Sequence, residues 1–101
     1  MEVSRIRDIT TYIDKTPYLF IYFYDDWCKK YTDMIDLYFK NKYDLNKKYV
    51  KVHIKNKKII EDLQVTSFPS LKIYNNKELY DDISCGDNII DIINNIYIFL
   101  K

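Results

Sequence analysis

The sequence contains very few of the residues that build common phosphate, metal and disulfide sites. Its 101 residues include one glycine, two prolines, two cysteines and one histidine. A single glycine excludes the glycine-rich loops that cradle phosphates. The two cysteines, Cys28 and Cys85, and the lone His53 do not have the spacing of a zinc site, and two cysteines are too few for a disulfide framework. We therefore expect neither a metal nor a cofactor.

Charge and hydropathy argue against a nucleic-acid-binding protein and against a membrane or secreted protein. Sixteen basic and fifteen acidic residues give a net charge of +1, which predicts no general attraction to polyanions. Half of the basic residues are lysines between Lys40 and Lys58, but they are spread over several predicted elements, so we interpret them as hydrated surface rather than a nucleic-acid site. No segment reaches the ~18–20 apolar residues of a membrane span, and the first residues lack the apolar stretch of a secretory signal. We expect a single cytoplasmic domain over residues 1–101, with no membrane or nucleic-acid partner.

The periodicity of apolar residues alternates between strand and helix along the chain. Residues 18–24 form a continuous apolar run, typical of a strand that is covered on both faces. From Cys28 onward the spacing predicts an amphipathic helix, whose apolar face contains Tyr31, Met34, Ile35, Tyr38 and Phe39. Its opposite, hydrated face contains Lys29, Asp33, Asp36 and Lys40. The other predicted elements are a short apolar start at 3–6, helices at 8–15 and 58–63, strands at 49–54, 70–74 and 78–83, and a last helix from 87 or 88. This order predicts an α/β domain with a mixed sheet and helices on both faces.

Trp27 and Cys28 stand where the strand at 18–24 meets the start of the predicted helix. A cysteine at a helix N-terminus exposes its thiol to solvent and to the positive end of the helix dipole, which favours the thiolate. The lysines that follow, Lys29 and Lys30, should lower the thiol pKa further, whereas the two preceding aspartates oppose them. We expect the helix N-terminus to decide this balance, so that the pKa of Cys28 lies below the ~8.5 of an unperturbed cysteine.

Two stretches of the sequence resemble the thioredoxin family. The segment Trp27-Cys28-Lys29-Lys30-Tyr31 is similar to its Trp-Cys-x-x-Cys motif, with Tyr31 in place of the second cysteine. Residues 65–71 resemble its loop in which a cis-proline precedes a strand, and a proline suits that position because it cannot donate to a ladder. The element order extends the resemblance over nearly the whole chain. It implies a thioredoxin-like fold, in which about four helices flank a central mixed five-stranded (or four-stranded) sheet and the Phe68–Pro69 bond is cis.

The departures from the family pattern concern the chemistry. The family's buried carboxylate lies six residues before the first cysteine, where this sequence has Tyr22, whereas Lys51 matches the family's partner lysine. The intramolecular resolving step of a dithiol enzyme has therefore lost its second cysteine and its acid. The resemblance implies monothiol chemistry, in which Cys28 attacks a disulfide of a protein or of glutathione and an external thiol resolves the product.

The resemblance also implies a binding surface around the thiol. In the family the cis-proline loop lies beside the reactive cysteine and pairs with the bound polypeptide, so Trp27, Phe68 and Pro69 are expected to bind the partner. A later loop adds a glycine to that surface, for which Gly86 is the candidate. The neighbouring Cys85 is a candidate resolving thiol, and a small residue that fills the loop is the simpler interpretation of it.

Two alternative functions stay open from the sequence. The chain could be a non-catalytic thioredoxin-fold binding module that keeps the groove around Trp27 and Pro69. A monothiol glutaredoxin-like role in iron–sulfur handling fits less well, because that motif is small and contains glycine. We expect a monomer that oxidation converts either to an internal Cys28–Cys85 bridge or to a Cys28-linked dimer. We also expect Tyr31 to be a core residue and His53 to be structural.

Overall fold

A computed structural model describes residues 2–41 and 47–84. The predicted last helix, Cys85 and Gly86 lie outside these described residues. The described elements are α1 (Ile6–Lys15), β1 (Tyr18–Tyr24), a 3-10 helix (Asp26–Cys28), α2 (Lys29–Asn41), β2 (Lys47–His53), α3 (Lys57–Asp62), β3 (Ser70–Asn75) and β4 (Glu78–Ser84). The short apolar start predicted at 3–6 is preceded by one parallel bridge, between Glu2 and Lys51, and its last residue, Ile6, begins α1.

The four described strands form one mixed sheet in the order β2-β1-β3-β4. β1 is parallel to β2 and antiparallel to β3, and β3 and β4 form an antiparallel hairpin. This confirms the prediction that the apolar run at 18–24 is a central strand, and of the two predicted strand counts the described residues show four. The Phe68–Pro69 bond is cis, as the resemblance implied.

Local sequence signals explain where several elements begin and end. In α1 an acidic residue, Asp8, lies in the first turn and Lys15 in the last, which is the arrangement that the helix dipole favours. Pro17 lies two residues after the last residue of this helix, and a proline there cannot continue the helix. The β3–β4 hairpin turns through Asn76 and Lys77, both with positive φ, as a two-residue loop of type I′ requires.

The sheet separates two apolar clusters because successive side chains of β1 point to opposite faces. Leu19, Ile21 and Phe23 pack with the residues of α1 and α3, and Phe20 and Tyr22 pack with those of α2. Tyr31 is half-buried against the second cluster, as predicted. The prediction for Met34 was wrong, since this side chain is 45% exposed while Ile35 is buried. Within the described ranges, none of the helices has the length and apolar character needed to cross a membrane.

Candidate functional site

The strand register brings three chain segments to one edge of the sheet. Tyr24 at the end of β1 lies opposite His53 at the end of β2, and Phe23 lies opposite Ser70, the first residue of β3. The turn that leads to Cys28 and the loop that contains Phe68 and Pro69 therefore leave the sheet at the same edge. This juxtaposition, inferred above only from the resemblance, is now given by the hydrogen-bonded register.

Cys28 ends the 3-10 helix, one residue before α2 begins. Its backbone N–H donates to the Asp25 carbonyl at 2.9 Å, and the Asp25 side chain accepts from the Asp26 N–H at 2.6 Å. The expectation of an exposed thiol was wrong, because Cys28 is 0% exposed. The sequence predicts a direct passage from strand to helix, whereas in the structure a 3-10 turn intervenes and Cys28 precedes the first α-helical turn.

The lysines that follow Cys28 extend toward solvent. The Lys29 ammonium is 3.1 Å from a carboxylate oxygen of Asp33 on the next turn of α2, and its side chain is highly exposed. Lys30 is also exposed. The Lys29 ammonium is thus paired with Asp33 within α2. The low pKa expected for Cys28 stays a prediction.

Tyr22 is completely buried near Cys28, at the position where the resemblance locates the family's carboxylate. The Thr32 hydroxyl donates to the Tyr22 hydroxyl oxygen at 3.3 Å, and Thr32 is itself buried. Burial raises the pKa of Tyr22 above the ordinary tyrosine value, the hydrogen bond from Thr32 opposes this rise, and nearby Cys28 and Asp36 add to it. Tyr22 therefore stays protonated at neutral pH and cannot act there as a base toward a second thiol.

Lys51, the match to the family's partner lysine, is paired with a different acid. Its ammonium is 2.6 Å from one carboxylate oxygen of Asp36 in α2, and the Tyr49 hydroxyl donates to the other oxygen at 2.7 Å. The prediction that Asp36 lies on the hydrated face of α2 was wrong, because these two β2 side chains cover it. Burial and the bond to Asp36 raise the pKa of Tyr49. The carboxylate that pairs with Lys51 is thus a partly exposed residue of α2 and not a residue of β1.

The residues predicted to bind a partner differ in exposure. Trp27 is 53% exposed, Phe68 is half-buried and Pro69 is buried. Trp27 is therefore the large apolar side chain that the site presents to solvent. Gly86 and Cys85 lie outside the described residues, but Ser84, which precedes them, is paired with Ser70 and ends β4 at the same edge of the sheet.

A polar cavity of about 390 Å³ lies beside the turn. Its lining consists of Tyr24, Asp25, Asp26, Lys29, Thr32, Asp33 and Lys51. Three carboxylates and two ammonium groups give this lining charges of both signs, so it favours neither an anion nor a cation.

One cluster at this edge was missed from the sequence. Donor atoms of Asp25, Asp26 and His53 lie within 4.8 Å of one another, close enough to be tested as a metal site. The His53 Nδ1 accepts a hydrogen bond from the Lys55 backbone N–H at 3.1 Å, so the proton of the neutral ring is on Nε2. Nε2 faces Asp26 at 2.7 Å and is a donor there, not a lone pair for a metal. The cluster fits a hydrogen bond better than a metal, and the adjacent ends of two parallel strands were the signal that could have revealed it.

Comparisons with known proteins agree with this geometry. The Thioredoxin family model matches residues 7–97. The chain superimposes on oxidised thioredoxin from Plasmodium falciparum with a TM-score of 0.82 and 19% identity, covering 99% of this chain and 97% of that one. For oxidised mitochondrial thioredoxin 3 from Saccharomyces cerevisiae the TM-score is 0.80 at 19% identity, with 96% and 92% covered. For Fasciola hepatica thioredoxin it is 0.80 at 17% identity, with 95% of each chain covered.

No curated protein matches the sequence. At these identities the solved structures establish the fold, and the family model establishes the relationship over most of the chain. The chain belongs to the thioredoxin family.

Proposed function

We propose that this protein carries out thiol–disulfide exchange through Cys28 alone, with an external thiol completing each cycle. The observation that carries the proposal is the position of Cys28 in the turn between β1 and α2, at the sheet edge from which the Phe68–Pro69 loop also leaves. Tyr31 occupies the helical position where a dithiol enzyme has its second cysteine, and Tyr22 supplies no base. Both substitutions support a single-thiol cycle.

The cycle consists of two exchange steps. The Cys28 thiolate attacks one sulfur of a protein or glutathione disulfide, which forms a mixed disulfide and releases the other sulfur as a thiolate. A second, external thiolate then attacks the sulfur bound to Cys28, forms a new disulfide with the substrate sulfur and returns Cys28 as a thiolate. Each step breaks one S–S bond and forms one, so no other oxidant is needed.

The partner has to reach a thiol that is buried at rest. Trp27 is an exposed neighbour of Cys28, and the loop of Phe68 and Pro69 leaves the same edge of the sheet. A partner segment that contacts the Trp27 side chain and this loop is therefore placed against the turn. Opening of the turn then exposes the sulfur. A reducing compartment such as the cytoplasm supplies the external thiol, and the resting protein is a monomer.

The proposal is tested by the turnover of a glutathione mixed disulfide and by intact-mass detection of a glutathione adduct on Cys28. We expect Cys28→Ser to abolish both the adduct and turnover. We expect Cys85→Ser to keep the adduct and most of the turnover. Full turnover by Cys28→Ser would refute the proposal.

Cys85 remains a proposed alternative source of the resolving thiol. Ser84 ends β4 at the edge of the sheet next to the Cys28 turn, which supports this role for the residue that follows it. Non-reducing gels after mild oxidation distinguish the two cases. A Cys28-linked dimer that increases in Cys85→Ser supports an internal bridge in the wild type, and an unchanged pattern assigns resolution to the external thiol.

The second candidate function is a binding module without redox turnover. It is favoured by one observation, the contrast between a 0% exposed Cys28 and a 53% exposed Trp27. A binding module predicts that Trp27→Ala loses a captured partner while Cys28→Ser keeps it. It also predicts that Cys28 reacts more slowly than Cys85 with iodoacetamide across the pH range.

A further inference from the structure

A hydrogen bond ties the turn that contains Cys28 to the end of β2. The imidazole of His53 is almost completely enclosed, with its side chain 11% exposed, and its Nε2 lies 2.7 Å from a carboxylate oxygen of Asp26. The Lys55 backbone N–H donates to the other ring nitrogen, Nδ1, so Nε2 is the donor and Asp26 the acceptor. The ring also packs edge-on against Tyr24, with 5.0 Å between ring centroids. His53 is therefore held in place by its own strand and by β1, whatever Asp26 does.

Asp26 belongs to the same short helix as Cys28. It is the first residue of the 3-10 helix that Cys28 ends, and its side chain is 91% exposed. Apart from the contact with His53, most of that carboxylate faces water. A rigid, buried donor on β2 thus holds an otherwise solvent-facing residue two positions before the thiol.

Because Cys28 is fully buried, a reagent or a disulfide reaches its sulfur only when the turn moves. Movement of Asp26–Cys28 away from β2 separates Asp26 from His53, so opening of the turn and loss of this hydrogen bond are coupled.

From these contacts we infer that His53 is a positioning residue for the Cys28 thiol, and that its hydrogen bond to Asp26 sets how often the turn opens. The inference rests on the proposed function only in calling the thiol reactive toward disulfides. The accessibility of the sulfur is a separate, measurable property. Loss of the bond should raise the population of open turns about three- to tenfold, the range expected for one hydrogen bond to a largely exposed charged group.

The test measures the rate at which iodoacetamide labels Cys28 under native conditions, in a Cys85→Ser background. His53→Phe keeps an aromatic ring on Tyr24 and removes the donor. Asp26→Ala removes the acceptor from an exposed position, where the fold tolerates substitution. We expect each variant to label about three- to tenfold faster, and the double variant to label no faster than the faster single one.

Two controls separate positioning from general loosening of the fold. His53→Gln retains a side-chain N–H that can donate to Asp26, and should restore a rate near the wild type. Asp33→Ala removes a carboxylate from the same cavity and breaks its pair with Lys29, but it leaves the link to β2 intact, so its rate should stay within about twofold of the wild type. Urea unfolding of each variant reports global stability separately.

The inference is overturned if His53→Phe and Asp26→Ala act additively, or if either leaves the labelling rate unchanged. The controls overturn it if His53→Gln labels as fast as His53→Phe, or if Asp33→Ala accelerates labelling as much as Asp26→Ala does. Disulfide turnover is measured on the same variants. If the labelling rates of the variants behave as expected but the protein shows no disulfide turnover, the proposed function is refuted and the positioning role of His53 stands.

Discussion

Replacing Tyr31 with cysteine should convert this protein into a better disulfide reductase. Residues three apart on a helix have Cβ atoms about 5–6 Å apart, and a disulfide needs about 3.5–4.5 Å, so a small movement of the turn brings the new thiol to Cys28. A tethered, oriented thiol has an effective concentration far above that of a millimolar external thiol. We therefore expect insulin reduction to rise at least about tenfold.

The change also removes a half-buried ring from the cluster beneath α2. Truncating a fully buried aromatic side chain to alanine costs about 3–5 kcal/mol. Tyr31 is only partly covered, and the sulfur of the new cysteine fills part of the space that the ring leaves, so we expect a loss of about 1–2 kcal/mol. A domain with about 5–15 kcal/mol of stability stays folded at room temperature after such a loss.

Tyr31→Ser is the matched control, since it removes the same ring without adding a thiol. Both variants are assayed for insulin reduction with dithiothreitol, after urea unfolding and thiol titration confirm their integrity. Activity in Tyr31→Cys should stay below that of a full thioredoxin, because Tyr22 remains protonated and cannot take the proton of the attacking thiol. Equal rates in Tyr31→Cys and Tyr31→Ser would refute the reasoning, and so would efficient wild-type turnover with thioredoxin reductase.

Three further predictions concern stability and need no substrate. Lys77→Gly should stabilise the domain by about 0.5–1 kcal/mol in urea unfolding, because glycine avoids the steric penalty of the left-handed conformation at φ 75°. The greater freedom of glycine in the unfolded chain offsets part of this gain. Asp82→Asn should cost about 1–3 kcal/mol, since it removes the negative charge 2.7 Å from the Lys72 ammonium, whose side chain is only 7% exposed. Adding Lys72→Met should recover most of the loss. The free energy of unfolding should fall above pH 10, because tyrosines ionise there in the unfolded chain while Tyr22 and Tyr49 stay protonated in the fold. Tyr22→Phe should reduce the slope of this free energy against pH, measured by urea unfolding, by up to about 1.4 kcal/mol per pH unit.

Each of these has a contrary result. An unchanged or lower urea midpoint in Lys77→Gly would mean that the turn is not strained by its side chain. Full stability of Asp82→Asn would show that Lys72 reaches water without this carboxylate. A stability curve that stays flat from pH 9 to about 12 would show that the two tyrosines ionise in the folded state as readily as in the unfolded chain.

The sheet was predictable because its signals are local and strong. The run at 18–24 is apolar at every position, which only a strand covered on both faces tolerates, and its predicted bounds match β1. The gap between the predicted strands at 70–74 and 78–83 also contains a residue suited to a tight turn, since the asparagine at 76 accepts positive φ. These features depend on neighbours in sequence, so a single sequence reveals them.

The site was less predictable because its contacts are made across the sheet. Helical periodicity assigned Asp36 to water, but Tyr49 and Lys51 reach it from β2 and cover it. Cys28 is buried at the end of a 3-10 turn, and no residue pattern in the sequence marks that turn. The contact between His53 and Asp26 exists because two parallel strands end side by side, and it joins residues far apart in sequence.

The composition of β1 predicts how this protein behaves once it unfolds. Tyr18–Tyr24 contains seven consecutive apolar residues of high β-propensity, with no charge, proline or glycine, which is the sequence signature of an amyloid-forming segment. In the native sheet both of its edges are occupied, by β2 and β3. Unfolding uncovers both edges together, so heat or a core substitution should lead to intermolecular β-assembly rather than to a soluble unfolded chain. The charges that flank the run, Lys15 before it and Asp25 and Asp26 after it, then act as gatekeepers that slow such assembly.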